Sequence, residues 1–364
     1  MFKYSQSELM LIWVDSFIGL EYKHKSNLFT KLNGNSDLKK FIFDNKDYIC
    51  QEVGESKYNT IYSSANQEYL NFVLEGLEKR DIKVCTIASK NYPERLKTIE
   101  CPPLVLYTKG NLDILSQEMF SIVGSRKSLP LSISLAKEYS QALSNCNLIL
   151  VTGIAEGVDT TVLQTCLDNG KLAVSVITGG FDNIYPKTNM DLIEKVAQNG
   201  LVISEFPPET VPKPYMFPIR NRIIAGLSKG VLIVSAGEKS GTLYTAEYAE
   251  QFSRDLFAIP YSPGIRLGVG TNDLIKRGAM LTDSPKDILE FYNLEQQEDA
   301  QPLSQEQKDI IKILSDGQKH IENICQQLKK QTFELIPILS ELEIKGLVVK
   351  MGNIYGLIHS ISEE

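Results

Sequence analysis

The chain has 364 residues with 38 Lys+Arg against 45 Asp+Glu, a formal net charge of −7, and a composition of 43% hydrophobic and 23% charged residues. That length exceeds one ordinary domain and that composition builds a sizeable core, while the acidic balance excludes a global attraction to nucleic acid or anionic membrane, so any anion site must be a local patch. Six cysteines without a Cys-x-x-Cys pair exclude a disulfide or metal framework and read as reduced, intracellular thiols, and no apolar run nears the ~20 residues of a membrane helix.

Residues 1–80 read as helical. "SELMLIWVDSFI" opens on Ser7 as a plausible cap and, interrupted by Asp15, reads as a helix rather than a signal peptide; "NSDLKKFIFDN" and "NQEYLNFVLEGLEKR" repeat apolar residues at helical spacing. "IKVCTI" and the proline-led "CPPLVLYTKG" read as strands. From 119 onward, apolar runs "MFSIVGS", "NLILVTG", "LAVSVITGG", "LVISEFP", "GVLIVSAG" and "DLFAIP" alternate with helical segments, several ending in Gly or Asn. Val- and Ile-rich runs with little alternation are strands buried on both faces, so 81–293 is expected to be an α/β domain, a Rossmann-like doubly wound parallel sheet. A polar linker, 294–305, leads into 306–364, where three helices and two short strands around Gly352-Asn353 form a winged-helix pattern.

In such a sheet ligands sit beyond the carboxyl ends of the strands. The segments there carry Gly124, Ser125, Arg126; then Gly153, Gly157, Asp159; then Lys187; then Glu205, Lys213, Phe217, Arg220, Asn221, Arg222; then Lys239, Ser240, Gly241, Thr242. Glycines admit a ligand close to the backbone, and helix N-termini favour anions, so this edge is expected to bind phosphates. Between Pro212 and Gly230 there are four basic residues and no acidic one. Gly153, Gly157, Asp159 and Glu205 are expected to build the rim, Asp159 chiefly as a helix cap. Arg222 is expected to brace the rim through Asp159 or Glu205, and Arg220 to keep its head on the rim for phosphate. The region 104–293 has no histidine, no Gly-x-Ser-x-Gly elbow, no Gly-x-x-x-x-Gly-Lys-Ser/Thr loop and no Gly-x-Gly-x-x-Gly after its first strand. Asp159, Asp182 and Glu205 remain possible acid–base groups that nothing in the sequence pairs.

The ordered motifs "YPERL", "PPLVLYTKG", "SIVGSRKS", "VTGIAEGVDTTV", "GGFDNIYPKTN", "ISEFPP", "FPIRNRIIAGLS", "KSGTLYTAEYA", "DLFAIP" and "GTNDLIKRGA", between residues 92 and 279, resemble those of the bacterial DNA-processing family DprA/Smf. The resemblance implies a cytoplasmic protein whose Rossmann-like domain binds single-stranded DNA and hands it to RecA in natural transformation. It implies a homodimer through the α/β domain, no cofactor or metal, no membrane partner and no catalytic turnover. The family's DNA-contacting positions fall on Arg126, Phe217, Arg220, Asn221 and Arg222, while Glu156 stands where a basic residue is usual. Residues 1–80 resemble the family's SAM-like or helix-hairpin-helix domain, without its Gly-x-Gly hairpin. A second reading is a nucleotide-binding enzyme related to phosphoribohydrolases, against which Thr245 stands at their glutamate position; a third is a nucleotide sensor.

Overall fold

A computed structural model of the chain describes residues 4–32, 38–294, 304–315, 317–344 and 347–357, in two compact units, 1–297 and 298–364. Most of the expected linker, 295–303, lies outside the described residues.

In the first unit, nine described strands form one sheet: β1 (Lys83–Thr86), β2 (Val105–Gly110), β3 (Met119–Gly124), β4 (Ile149–Thr152), β5 (Ala173–Val176), β6 (Leu201–Ser204), β7 (Gly230–Ser235), β8 (Asp255–Ala258) and β9 (Met280–Leu281). Their order is β1-β2-β6-β5-β4-β3-β7-β8-β9. From β6 to β9 neighbours pair in parallel. The chain winds outward from β3 to β6, then returns to begin again at β7, so the direction of winding reverses between β3 and β7. The parallel expectation needs one correction: β2 pairs antiparallel with both β6 and β1. The connection from β1 to β2, residues 87–104, holds one short helix, Glu94–Lys97, and returns the chain antiparallel to β1.

The missing alternation in the strands has a direct cause. Phe120 and Ile122 of β3 and Leu232 and Val234 of β7 enter a core on one face, while Met119, Val123, Val231 and Ile233 enter a core on the other. Both faces are covered, so no position demands a polar side chain.

The helix Gln6–Asp15 is capped by Ser5, not Ser7: the Glu8 amide donates to Ser5 Oγ and the Ser5 amide to the Glu8 carboxylate. Trp13 of this helix is buried and donates to Ser64 O at 2.8 Å. Asp15, the charge that interrupts the apolar run, is buried between Lys25 Nζ and Tyr107 Oη, both 2.8 Å away. Tyr107 lies on β2, and the N-terminal helices and one face of the sheet share a single hydrophobic core.

The second unit has helices Gln305–Leu314, Ile321–Leu328 and Thr332–Ile344 and a three-stranded antiparallel sheet in the order β10 (Lys319–His320), β12 (Ile354–Leu357), β11 (Val348–Met351). β10 was not visible in the pattern, because two residues show no periodicity. Ile310, Ile324, Leu335, Leu339 and Tyr355 form its core.

Candidate functional site

At the carboxyl ends of β3 and β7, where the winding reverses, lies a cleft of about 550 Å³. The crevice at this position is generic to open α/β sheets. Its lining includes Gly124, Ser125, Arg126 and Lys127 after β3, Lys239, Ser240, Gly241 and Thr242 after β7, and Phe217, Arg220 and Asn221 from the helix Met216–Leu227. Four basic side chains and one carboxylate, Asp159, face it.

The loop after β3 is held by its own hydroxyls: Ser128 Oγ donates to Ser125 O at 2.6 Å, and the Ser125 amide donates to Ser235 Oγ on β7 at 3.2 Å. That fixes the loop and leaves Arg126 and Lys127 exposed. Gly157, with φ +92°, lets the N-terminus of the helix Val158–Asp168 press against this loop; a Cβ there would lie 2.8 Å from the carbonyls of Ser125 and Arg126. Across the cleft, Asn221 Nδ2 donates to Gly241 O at 3.2 Å and ties the helix Met216–Leu227 to the loop after β7.

The helix begins at Met216 rather than near Ile219, so Pro218 sits in its first turn, where a missing amide leaves no orphan partner. Arg220 and Arg222 therefore lie past the first turn, on opposite flanks, and both are only 6% exposed. Arg220 donates through Nη1 to the Val176 carbonyl and faces Asp159. A Cβ on Gly153 would lie 2.5 Å from Asp159 Oδ2 and 2.6 Å from Arg220 Nη1, so the glycine makes room for this pair. Asp159 accepts from the Ala155 amide at 3.1 Å, upstream of its helix, and so ties down the glycine loop where a helix cap was expected. Burial raises its carboxyl above the ordinary range, against the opposing pull of Arg220. Burial likewise pushes Arg220 down to about 10, with Asp159 opposing and Arg126 adding to the fall.

The expected rim head of Arg220 is thus corrected: the side chain lines the cleft from below, fixed to β5. Arg222 takes the bracing role expected of it, and the DNA contact that the resemblance implies for it has no place in the cleft's lining. It pairs with Glu205 on the far flank, among Tyr22, Tyr92 and Tyr248, and does not reach the cleft. The basic run between Pro212 and Gly230 is dispersed in space, since Lys229 packs over the Tyr292 ring at 4.0 Å. Lys187 and Lys213 are exposed but lie outside the cleft's lining. Lys127, Thr245 and Leu267, which were not among the expected DNA-binding residues, also line it. Lys127 was readable beside Arg126; Leu267 follows β8 and reaches the cleft because the Ala236 amide donates to its carbonyl.

The three carboxylates without sequence partners each face an arginine: Asp159 faces Arg220, Glu205 pairs with Arg222, and Asp182 pairs with Arg80 at 2.9 Å. No two of them pair with one another, as an acid–base dyad would require.

Phe217 is half-buried at the cleft wall. Arg126 lies over one side of its ring, and Tyr185 meets it edge-to-face, with centroids 5.9 Å apart. A guanidinium and an aromatic face beside a fixed polar loop form a surface that takes a phosphate and a flat ring side by side.

A family model described as DNA recombination-mediator protein A matches residues 83–293, the whole sheet and its cleft. This chain belongs to that family. The DNA processing protein DprA of Bacillus subtilis is 37% identical over 219 residues, 60% of this chain and 74% of that protein. The DNA processing protein DprA of Streptococcus pneumoniae is 40% identical over 198 residues, 54% of this chain and 70% of its own length. An X-ray structure of the Streptococcus pneumoniae DprA aligns with a TM-score of 0.67 at 31% identity, over 81% of this chain and 99% of that one. A structure of DNA processing protein A from Helicobacter pylori, described by its single-stranded DNA binding mode, aligns with a TM-score of 0.53 at 27% identity, over 58% of this chain and 95% of that one.

Proposed function

We propose that this protein binds single-stranded DNA in the cleft between β3 and β7 and acts in recombination by passing the strand to RecA. The observation that carries this reading is local charge. On a chain of net charge −7, the cleft gathers four basic side chains around one buried carboxylate, with Phe217 at its wall. Arg126, Lys127 and Lys239 are exposed and meet phosphates. Phe217 offers a stacking face that any base can use. Arg220 and Asp159 hold the floor, and Arg222 with Glu205 holds the helix. The single-stranded DNA binding described for the Helicobacter pylori relative supports the same use of this fold.

Binding without turnover fits the site, because the one carboxylate lining the cleft, Asp159, is engaged by Arg220. We assign the second unit as a winged helix that docks a partner: its helix Thr332–Ile344 carries Glu334, Glu341 and Glu343 and no basic residue, which disfavours a phosphate backbone. A homodimer through the α/β unit and a cytoplasmic location complete the reading.

The test is affinity for single- against double-stranded oligonucleotides at two salt concentrations. Tighter binding to the single strand, weakening with salt, supports the reading; equal affinity for both, or none, contradicts it.

A further inference from the structure

The helix Thr332–Ile344 of the second unit is apolar on two opposite faces. Leu335, Leu339 and Leu342 are fully buried and hold it to that unit's core. At about 100° per residue, Phe333, Ile336, Pro337 and Ser340 share one arc on the far side. Phe333 is 74% exposed and Ile336 45%, and Pro337 and Ser340 are exposed as well. A surface helix ordinarily turns charged residues outward, and a helix that is apolar on both sides is ordinarily covered on both. Exposed apolar side chains scattered singly need no explanation, but a stripe at spacings of three, four and seven marks a surface for a partner.

The charges beside the stripe narrow the choice of partner. Glu334 and Glu341 stand along one border and Glu343 along the other, all three exposed. Glu334 accepts from the Gln331 amide at 2.8 Å, and Glu341 accepts from Gln307 Nε2 at 2.8 Å, which fixes both beside the stripe. A nucleic acid laid here would set its phosphates against three carboxylates, and a second copy of the helix would set glutamates against glutamates. Lysine and arginine are attracted to both borders. Pro337 has no amide, so the carbonyl of Phe333 one turn back loses its helical donor and can accept from a basic side chain laid along the stripe.

We propose that this stripe docks a basic amphipathic helix of a partner protein. The partner's apolar residues, spaced at three, four and seven, seat on Phe333, Ile336 and Pro337, and lysines or arginines on its flanks face Glu334, Glu341 and Glu343. The inference rests on the reading of the second unit as a docking module, and it adds the face used and the chemistry of the partner.

The experiment titrates the full chain with a synthetic Leu/Lys peptide of amphipathic helical period. The controls are a peptide of the same composition with the period scrambled and a Leu/Glu peptide with the period kept. Wild type is expected to bind the periodic Leu/Lys peptide at least about 10-fold more tightly than either control, the effect of burying one or two large apolar side chains. Phe333→Ser with Ile336→Ser is expected to remove that preference and to leave melting temperature and oligonucleotide affinity unchanged, since both side chains are exposed. Glu334→Gln with Glu343→Gln is expected to weaken the peptide about 3-fold at low salt and little at high salt. Met351→Ser with Ile354→Ser, at exposed apolar positions on the hairpin of β11 and β12, is the comparison pair. Peptide binding lost in that pair alone overturns this face and leaves docking by the second unit standing. Binding unchanged in both serine pairs, or no preference for the periodic peptide in wild type, overturns both. Self-association of the chain that Phe333→Ser with Ile336→Ser abolishes assigns the stripe to a second copy and overturns the proposal.

Discussion

Arg126 lies across the ring of Phe217, its guanidinium carbon 5.2 Å from the ring centroid. The loop after β3 and the helix after β6 thus meet at one point, joining an exposed cation of the cleft to its aromatic wall. A cation parked on a ring is attracted by the ring face, and in the proposed binding mode it meets a phosphate while the strand's base approaches the same ring. Phe217→Ala removes the stacking face, Arg126's resting place and the edge contact with Tyr185. Oligonucleotide binding is expected to weaken by about 1–3 kcal/mol, the range of base–aromatic stacking. A binding titration beside a thermal melt checks this: a lowered melting temperature with unaltered affinity would assign Phe217 to packing alone.

The two arginines of the helix Met216–Leu227 separate by function although both are buried. Arg222→Ala leaves Glu205 without its partner and is expected to destabilise the fold by about 3–5 kcal/mol, the typical effect of stranding one member of a buried pair. Its binding per folded molecule should be unchanged, because it does not line the cleft. Arg220→Ala strands Asp159 and also removes a cleft cation, so stability and affinity should fall together. Melting temperatures and oligonucleotide affinities of the two variants decide the matter. Affinity lost in folded Arg222→Ala would contradict the division.

Asp159 gives a pH signature. Its carboxyl is raised by burial above its ordinary value of 3.8, so in the window above that value the native state holds a proton that the unfolded chain has released. The stability it contributes is full below 3.8 and is lost as pH rises through the native value. Asp159→Asn cannot titrate, so from pH 4 upward its stability should rise more steeply, or fall less, than that of wild type. Chemical denaturation at stepped pH measures the two slopes; coincident slopes would show that Asp159 is not the titrating group.

Much of this was legible from the residues. Buried parallel strands announce themselves as continuous apolar runs, and β3 through β8 fall where those runs stand. The edge that gathers Gly124, Arg126, Gly241 and Thr242 follows from the rule that ligands sit beyond strand carboxyl ends. What was hidden depends on long-range pairing. Nothing local in "CPPLVLYTKG" reveals that β2 runs antiparallel to β6. Four basic residues within a short segment look like one patch, yet Arg222 turns to Glu205 and Lys229 to Tyr292. Arg220 resembles a surface phosphate ligand until the Val176 carbonyl and Asp159 are seen to flank it. Gly153 could not be assigned a purpose from its strand-end position alone; the crowding of Asp159 and Arg220 over its Cα supplies one.

The central claim, that the cleft between β3 and β7 is where the single strand's phosphates lie, is tested most directly by the salt dependence of oligonucleotide affinity. The comparison is wild type against a variant combining Arg126→Ala, Lys127→Ala and Lys239→Ala, all three exposed. Each single-strand phosphate contact contributes about 0.7 to the slope of log affinity against log salt, so the variant's slope is expected to be shallower by roughly two units, with weaker binding at low salt. An unchanged slope in a folded variant would place the phosphates elsewhere and contradict the account.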